Sequence, residues 1–161
     1  MDTHVAIPAR LDFDTLAAPV SRAIGGLDLA AVKVLDAVGI EDPLRELVRL
    51  RASQLNGCAY CVNVHTGDAL KKGETWQRLA AVAVWEESGC FTVRERAALS
   101  LTETVTLGAT TRVPAADWDA AASVFTEQEL AALVGLLVAI NAWNLVGVAT
   151  RPWSVDYGDN G

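Results

Sequence analysis

Along most of the chain, apolar residues recur every three or four positions, the period of helices buried along one side. Leu27, Ala30, Ala31, Val34, Leu35 and Val38 keep this spacing and predict a helix over about 26–38, ended by Gly39. Asp42-Pro43 offers an N-cap and a first-turn proline for a helix over about 43–55. Its Leu44, Leu47, Val48, Leu50 and Leu55 leave no clean polar face. Glu46 and Arg51 are therefore expected to be partly buried and to need partners. Asn56-Gly57 signals a turn, and the next helix should run from near Cys58 to Lys72, where Gly73 breaks it. A further helix is expected over about 74–86, followed by the loop Ser88-Gly89-Cys90-Phe91.

Thr92 with Glu95 and Thr126 with Glu129 are capping boxes, opening helices that reach about Leu107 and Ala149. Pro114 starts a shorter helix to about Val124. Residues 1 to about 20 read as irregular, apart from a short turn of helix at 12–17. The polar tail 150–161 should be ordered only where it docks. No strand pattern, linker or repeat interrupts the series, so the expectation is a single all-α domain over 1–161.

Composition narrows the class. Hydrophobic residues make up 52% and aromatics only 6%, the balance being largely Ala, Leu and Val, which favours packed helices over a β-sandwich. A net charge of −7 argues against nucleic acid or an anionic membrane surface as partner. Three cysteines without paired spacings do not make a disulfide-stapled secreted scaffold. Met1-Asp2-Thr3-His4 is polar and no apolar run of sufficient length comes after it, so a cytoplasmic location is expected. Leu130 to Ala149 carries no charge and is long enough to cross a bilayer. Asn141 and Asn144 would both need partners in lipid, so this helix is expected in a core or a subunit interface and not in a membrane.

The chemistry is concentrated in Asn56-Gly57-Cys58-Ala59-Tyr60-Cys61-Val62-Asn63-Val64-His65. On a helix starting near Cys58, Cys61 lies about 300° and His65 about 340° around, so all three are expected within an arc of about 60°. A thiol of ordinary pKa, about 8.5, is only a few per cent thiolate at neutral pH. His65 can take a proton from Cys61, and the positive helix end favours the thiolate at Cys58. The spacing leaves open which thiol attacks first. Cα atoms at i and i+3 are about 5 Å apart, within disulfide reach. A thioredoxin-like site would need a strand before the motif, and a c-type haem would need His where Val62 stands. Structural zinc lacks a fourth ligand unless His4, Cys90 or a carboxylate supplies it. No metal or other cofactor is expected, and redox chemistry on a helical scaffold is the remaining reading.

The run Glu46 to His65, with its Glu, CxxC and His at fixed spacing, resembles the core of the AhpD-like alkylhydroperoxidases of the carboxymuconolactone decarboxylase superfamily. The segments Trp85 to Ser88 and Phe91 to Leu99 are similar to the next stretch of chain in many members of that family, and the match covers about 44–106. The resemblance implies a thiol-dependent peroxidase. Glu46 and His65 would relay protons, and Cys58 and Cys61 would form the catalytic dithiol. It also implies a hydroperoxide substrate, an external dithiol reductant of lipoyl or thioredoxin type, and a trimer or hexamer. Tyr60 departs from the histidine at that position in the best-studied alkylhydroperoxidase. The decarboxylase branch generally lacks the CxxC pair, so lactone decarboxylation is the lesser expectation. A small-molecule enzyme using only Glu46 and His65, and a non-catalytic redox-sensing oligomer, are the alternatives. Replacing Glu46 by Gln is expected to slow turnover with little change in melting temperature.

Overall fold

The computed structural model describes residues 5–155. Its helices are α1 (Phe13–Leu16), α2 (Ala18–Val38), α3 (Asp42–Asn56), α4 (Ala59–Lys71), α5 (Trp76–Ala81), α6 (Val93–Thr106), α7 (Gly108–Thr111), α8 (Ala115–Ala122) and α9 (Glu127–Thr150). A 3₁₀ segment, Val82–Glu87, comes directly after α5, and no strand occurs among the described residues.

Helix α3 lies at the centre, with nine of its 15 residues buried. At 100° per residue its side chains sort into three arcs. Leu44, Val48 and Ala52 enter one apolar cluster with Leu35, Leu101, Leu136 and Ile140. Leu47 and Leu50 enter a second with Ala69, Leu79, Trp85 and Leu99. The third arc carries Arg45, Glu46, Arg49 and Ser53, all buried. Each charge there has a partner, as burial demands. Arg45 binds Asp36 at 2.6 Å and Asp42 at 3.1 Å, while Arg49 binds Asp28 at 3.0 Å and Glu46 at 3.2 Å. Arg51 pairs with Glu103 at 2.7 Å, the structural role its position suggests.

Helix α9 passes a length and composition test for a membrane span. In the fold it packs against α2, α3, α4, α6 and α8 and buries Leu133, Leu136, Leu137 and Ile140. Its two asparagines are satisfied inside the protein. Asn56 donates to Asn141 at 2.8 Å and to Asn144 at 3.0 Å, and Asn144 donates to Ser53 Oγ at 3.0 Å. These bonds tie the end of α3 to α9 immediately before the cysteine motif.

Three expectations about elements need correction. Helix α2 begins at Ala18, not near residue 26, and runs through Gly25 and Gly26. Glycine lowers helix propensity by about 1 kcal/mol, but packing along α9 outweighs it. Helix α3 starts one residue earlier than its Asp-Pro signal, with Glu41 at the N-cap. The helix expected over 74–86 is broken, because Val84 leaves helical geometry at φ −130° and ψ 33°. Beyond that break the buried Trp85 donates to Glu103 at 2.7 Å.

The segment before α1 meets the end of α9. Arg10 and Leu11 N–H groups donate to the Thr150 carbonyl at 2.9 and 3.1 Å, beyond which Arg151 leaves the helix at positive φ. The tail does dock, through Trp153, as far as it is described. Residues 156–161 and His4 lie outside the described residues.

Candidate active site

Gly57 ends α3 at φ 69°, where the adjoining N–H of Cys58 reaches the Ser53 carbonyl at 3.0 Å. Cys58 is the N-cap of α4 and Cys61 lies within its first turn. The Cys61 N–H donates to Cys58 Sγ at 3.3 Å, and the two cysteines are joined in a disulfide with Cα atoms 5.3 Å apart. Both are buried. The expected single face for Cys58, Cys61 and His65 is corrected here. Cys58 has extended φ/ψ of −84° and 94°, so the helical wheel does not apply to it. Cys61 and His65 border one cavity, and Cys58 borders another.

Glu46 and His65 are brought together from α3 and α4. His65 Nδ1 lies 2.9 Å from Glu46 Oε2, while Lys72 Nζ at 2.7 Å and Arg49 at 3.2 Å both donate to Oε1. Burial alone would raise the carboxyl pKa. The hydrogen bonds from His65 and Lys72 and the charges of Arg49 and His65 outweigh it and hold Glu46 down at about 2. An ionised carboxylate only accepts, so Nδ1 of His65 carries the hydrogen. The neutral ring then keeps its lone pair on Nε2.

Glu46, His65 and Asp68 could each turn one ligand atom to within 4.8 Å of the others. A cation at that point would compete with Lys72 and Arg49 for Oε1 and with His65 for Oε2. The chemistry of this donor set favours a proton-holding network over a metal. Cys90, once a conceivable zinc ligand, is exposed in its loop with Sγ 3.0 Å from Ser88 Oγ.

The Cys61 cavity measures about 380 Å³ and its wall includes Tyr60, Val64, His65, Ile140, Trp143 and Trp153. Asp14, Ser21 and Asp28 complete it. The Cys58 cavity measures about 600 Å³ and is bordered by Ile7, Ala59, Gly147, Val148 and Arg151. Tyr60 and Trp153, with ring centroids 5.0 Å apart, border both. Sequence reasoning missed Asp14, Asp28, Trp153 and Gly147. A tryptophan in a polar tail was the available signal for Trp153. Gly147 gave none: a Cβ there would lie 2.8 Å from Cys58 Sγ and 3.3 Å from Trp153.

Residues 19–104 match the carboxymuconolactone decarboxylase family. The uncharacterized protein YdfG of Bacillus subtilis (strain 168) is 40% identical over 105 residues, 65% of this chain and 71% of YdfG. A solved structure from Agrobacterium tumefaciens superposes with a TM-score of 0.82 at 29% identity, covering 92% of this chain and 100% of that one. That protein is of unknown function, with a suggested place in antioxidant defence as AhpD. The debrominase Bmp8 gives a TM-score of 0.74 over 89% of this chain and 74% of its own. An uncharacterized peroxidase-related protein of Silicibacter sp. TM1040 gives 0.63 over 76% and 66%. These last two, each 19% identical, share the fold. The chain is an AhpD-like member of the carboxymuconolactone decarboxylase family.

The site's packing and charge lead to two expected outcomes. The lowered pKa of Glu46 stabilises the fold above its ordinary value of 4.5, and this stability is lost as pH falls towards about 2. Denaturant titrations over that interval should show the natural protein losing about 3 kcal/mol more than a Glu46→Gln variant. At neutral pH the same variant leaves the buried Arg49 and the exposed Lys72 short of a counter-charge. Its melting temperature should therefore fall, correcting the expectation of little change. Equal acid sensitivity in both proteins would refute the coupling. Separately, Gly147→Ala should destabilise the oxidised protein by about 1–3 kcal/mol, the cost of overpacking. The reduced protein should lose less, because a free Cys58 side chain can rotate away. Equal losses in both states would show that the Gly147 contact is not with the disulfide.

Proposed function

We propose that the protein is a thiol-dependent peroxidase that reduces organic hydroperoxides through the Cys58–Cys61 dithiol. The observation that carries this reading is the cavity that Cys61 shares with His65, whose Nδ1 lies 2.9 Å from the buried Glu46 carboxylate. In the reduced protein, His65 Nε2 takes the Cys61 proton. The thiolate attacks the nearer peroxide oxygen, the O–O bond breaks, and Cys61 becomes a sulfenic acid. The leaving alkoxide takes the proton held by His65 and departs as an alcohol. Cys58 then attacks Cys61 Sγ, forming the disulfide and expelling water. Its place at the N-cap, where the Cys61 N–H points to its sulfur, supports a thiolate there.

An external dithiol returns the disulfide to two thiols and is itself oxidised to a disulfide. The separate cavity beside Cys58 offers that reductant a route apart from the peroxide's. A lipoyl or thioredoxin-type partner has the required chemistry. In this reading Glu46 is a positioning residue: with a pKa near 2 it is too weak a base to collect the thiol proton itself. It fixes the His65 tautomer and stabilises the imidazolium.

The test is consumption of cumene hydroperoxide with dithiothreitol as reductant. Cys61→Ser should abolish turnover, while Cys58→Ser should turn over slowly at best and, treated with peroxide in the absence of dithiothreitol, should accumulate a sulfenic acid at Cys61. His65→Gln should lower kcat by roughly 10²–10⁴, and adding Glu46→Gln should cost far less than additivity requires. Turnover that survives both cysteine variants, or lactone-acid decarboxylation that survives them, would replace this reading with acid–base chemistry at His65.

We also propose a homo-oligomer, a trimer or hexamer. Helices α2 and α9 expose Leu29 at 65%, Val138 at 51% and Leu145 at 71%, which self-association would cover. Light scattering should give a mass well above the 17.1 kDa chain, without detergent. A clean monomer would remove this proposal.

A further inference from the structure

The peroxide chemistry uses only Cys61 and His65 from the wall of their shared cavity, yet the rest of that wall has a definite character. Three aromatic side chains, Tyr60, Trp143 and Trp153, border it. Trp153 joins them, packing 5.0 Å from Tyr60 and, edge-on, 5.7 Å from Trp143. Two carboxylates, Asp14 and Asp28, share the wall, and no Lys or Arg lines it among the described residues.

The two carboxylates differ. Asp28 is offset by Arg49 at 3.0 Å. Asp14 accepts hydrogen bonds from Ser21 Oγ and Trp153 Nε1, both at 2.7 Å. Those donors are neutral, and no cation pairs with Asp14 among the described residues. Its negative charge is therefore held beside the aromatic rings without a compensating neighbour. Aromatic faces attract planar groups and organic cations. An uncompensated carboxylate adds to the second attraction and repels a second carboxylate. A volume of about 380 Å³ admits a benzene ring with short substituents.

We propose that this cavity selects aromatic hydroperoxides that are uncharged or carry a cationic group, and rejects those carrying a carboxylate. Asp14 and Trp153 are the residues that make the selection. The substrate class rests on the peroxidase reading, but the charge preference of the cavity can be measured without turnover.

Two measurements separate them. Tryptophan fluorescence of the oxidised protein, titrated at low salt with benzyltrimethylammonium and with benzoate, should show the cation binding more tightly by about tenfold. Asp14→Asn should remove most of that difference and Asp14→Glu, which keeps the charge, should restore it. Thermal melting establishes that both variants are folded. In turnover with dithiothreitol, the para-trimethylammonio derivative of cumene hydroperoxide should match or exceed the parent in kcat/KM. The para-carboxylate should fall about tenfold below the parent, and Asp14→Asn should close that gap. Equal binding of the two ions, or equal turnover of the carboxylate and the parent, overturns the selectivity and leaves the peroxidase reading standing. If no hydroperoxide is turned over while the binding order holds, the peroxidase reading fails and the cavity's preference survives it.

Discussion

A carboxylate with 1% of its residue surface exposed, in the middle of a helix packed on every side, is tolerated only because donors converge on it. Glu46 is held by Arg49 from its own helix and by His65 and Lys72 from the middle and the C-terminal end of α4. The same contacts therefore decide how α4 lies across α3, which way the imidazole faces, and where its hydrogen resides. Cys61 and His65, one turn apart on α4 itself, keep their spacing whatever that crossing, but the crossing sets where they stand relative to Glu46. One set of hydrogen bonds thus both compensates a buried charge and orients the imidazole, so a change in either is felt in both.

The position of the sulfurs is set by a second constraint, the end of α3. Gly57 in the left-handed region turns the chain, and the Ser53, Asn56, Asn141 and Asn144 hydrogen bonds hold that turn against α9. Helix α9 meets the disulfide with Gly147, where a methyl group would collide with Cys58 Sγ. The motif is thus rigid from three directions: the turn behind it, the bare backbone of α9 beside it, and the Glu46 hub beneath.

The sequence was most legible where local rules and tertiary packing agree. Both capping boxes open helices at the expected threonines. The crowding of leucines around Glu46 foretold its burial, although the helix proved more deeply enclosed than one polar face would require. Legibility failed where a long-range contact overrides a local preference. Gly26 read as a helix start because propensity knows nothing of α9. Cys58 was placed on a helical wheel, yet an N-cap residue obeys a different geometry. Asp14 and Trp153 meet across 139 positions of sequence, brought together where the segment before α1 joins the end of α9. No periodicity encodes such a contact.

The residues around the Cys61 cavity come from two parts of the chain. Glu46, Cys58, Cys61 and His65 all fall within the family match at 19–104, whereas Asp14, Trp143 and Trp153 fall outside it. The dithiol, the imidazole and its carboxylate partner thus lie in the family-matched core, while part of the cavity wall comes from residues outside it. A change confined to Asp14, Trp143 or Trp153 would therefore reshape the cavity wall without touching the family-matched core.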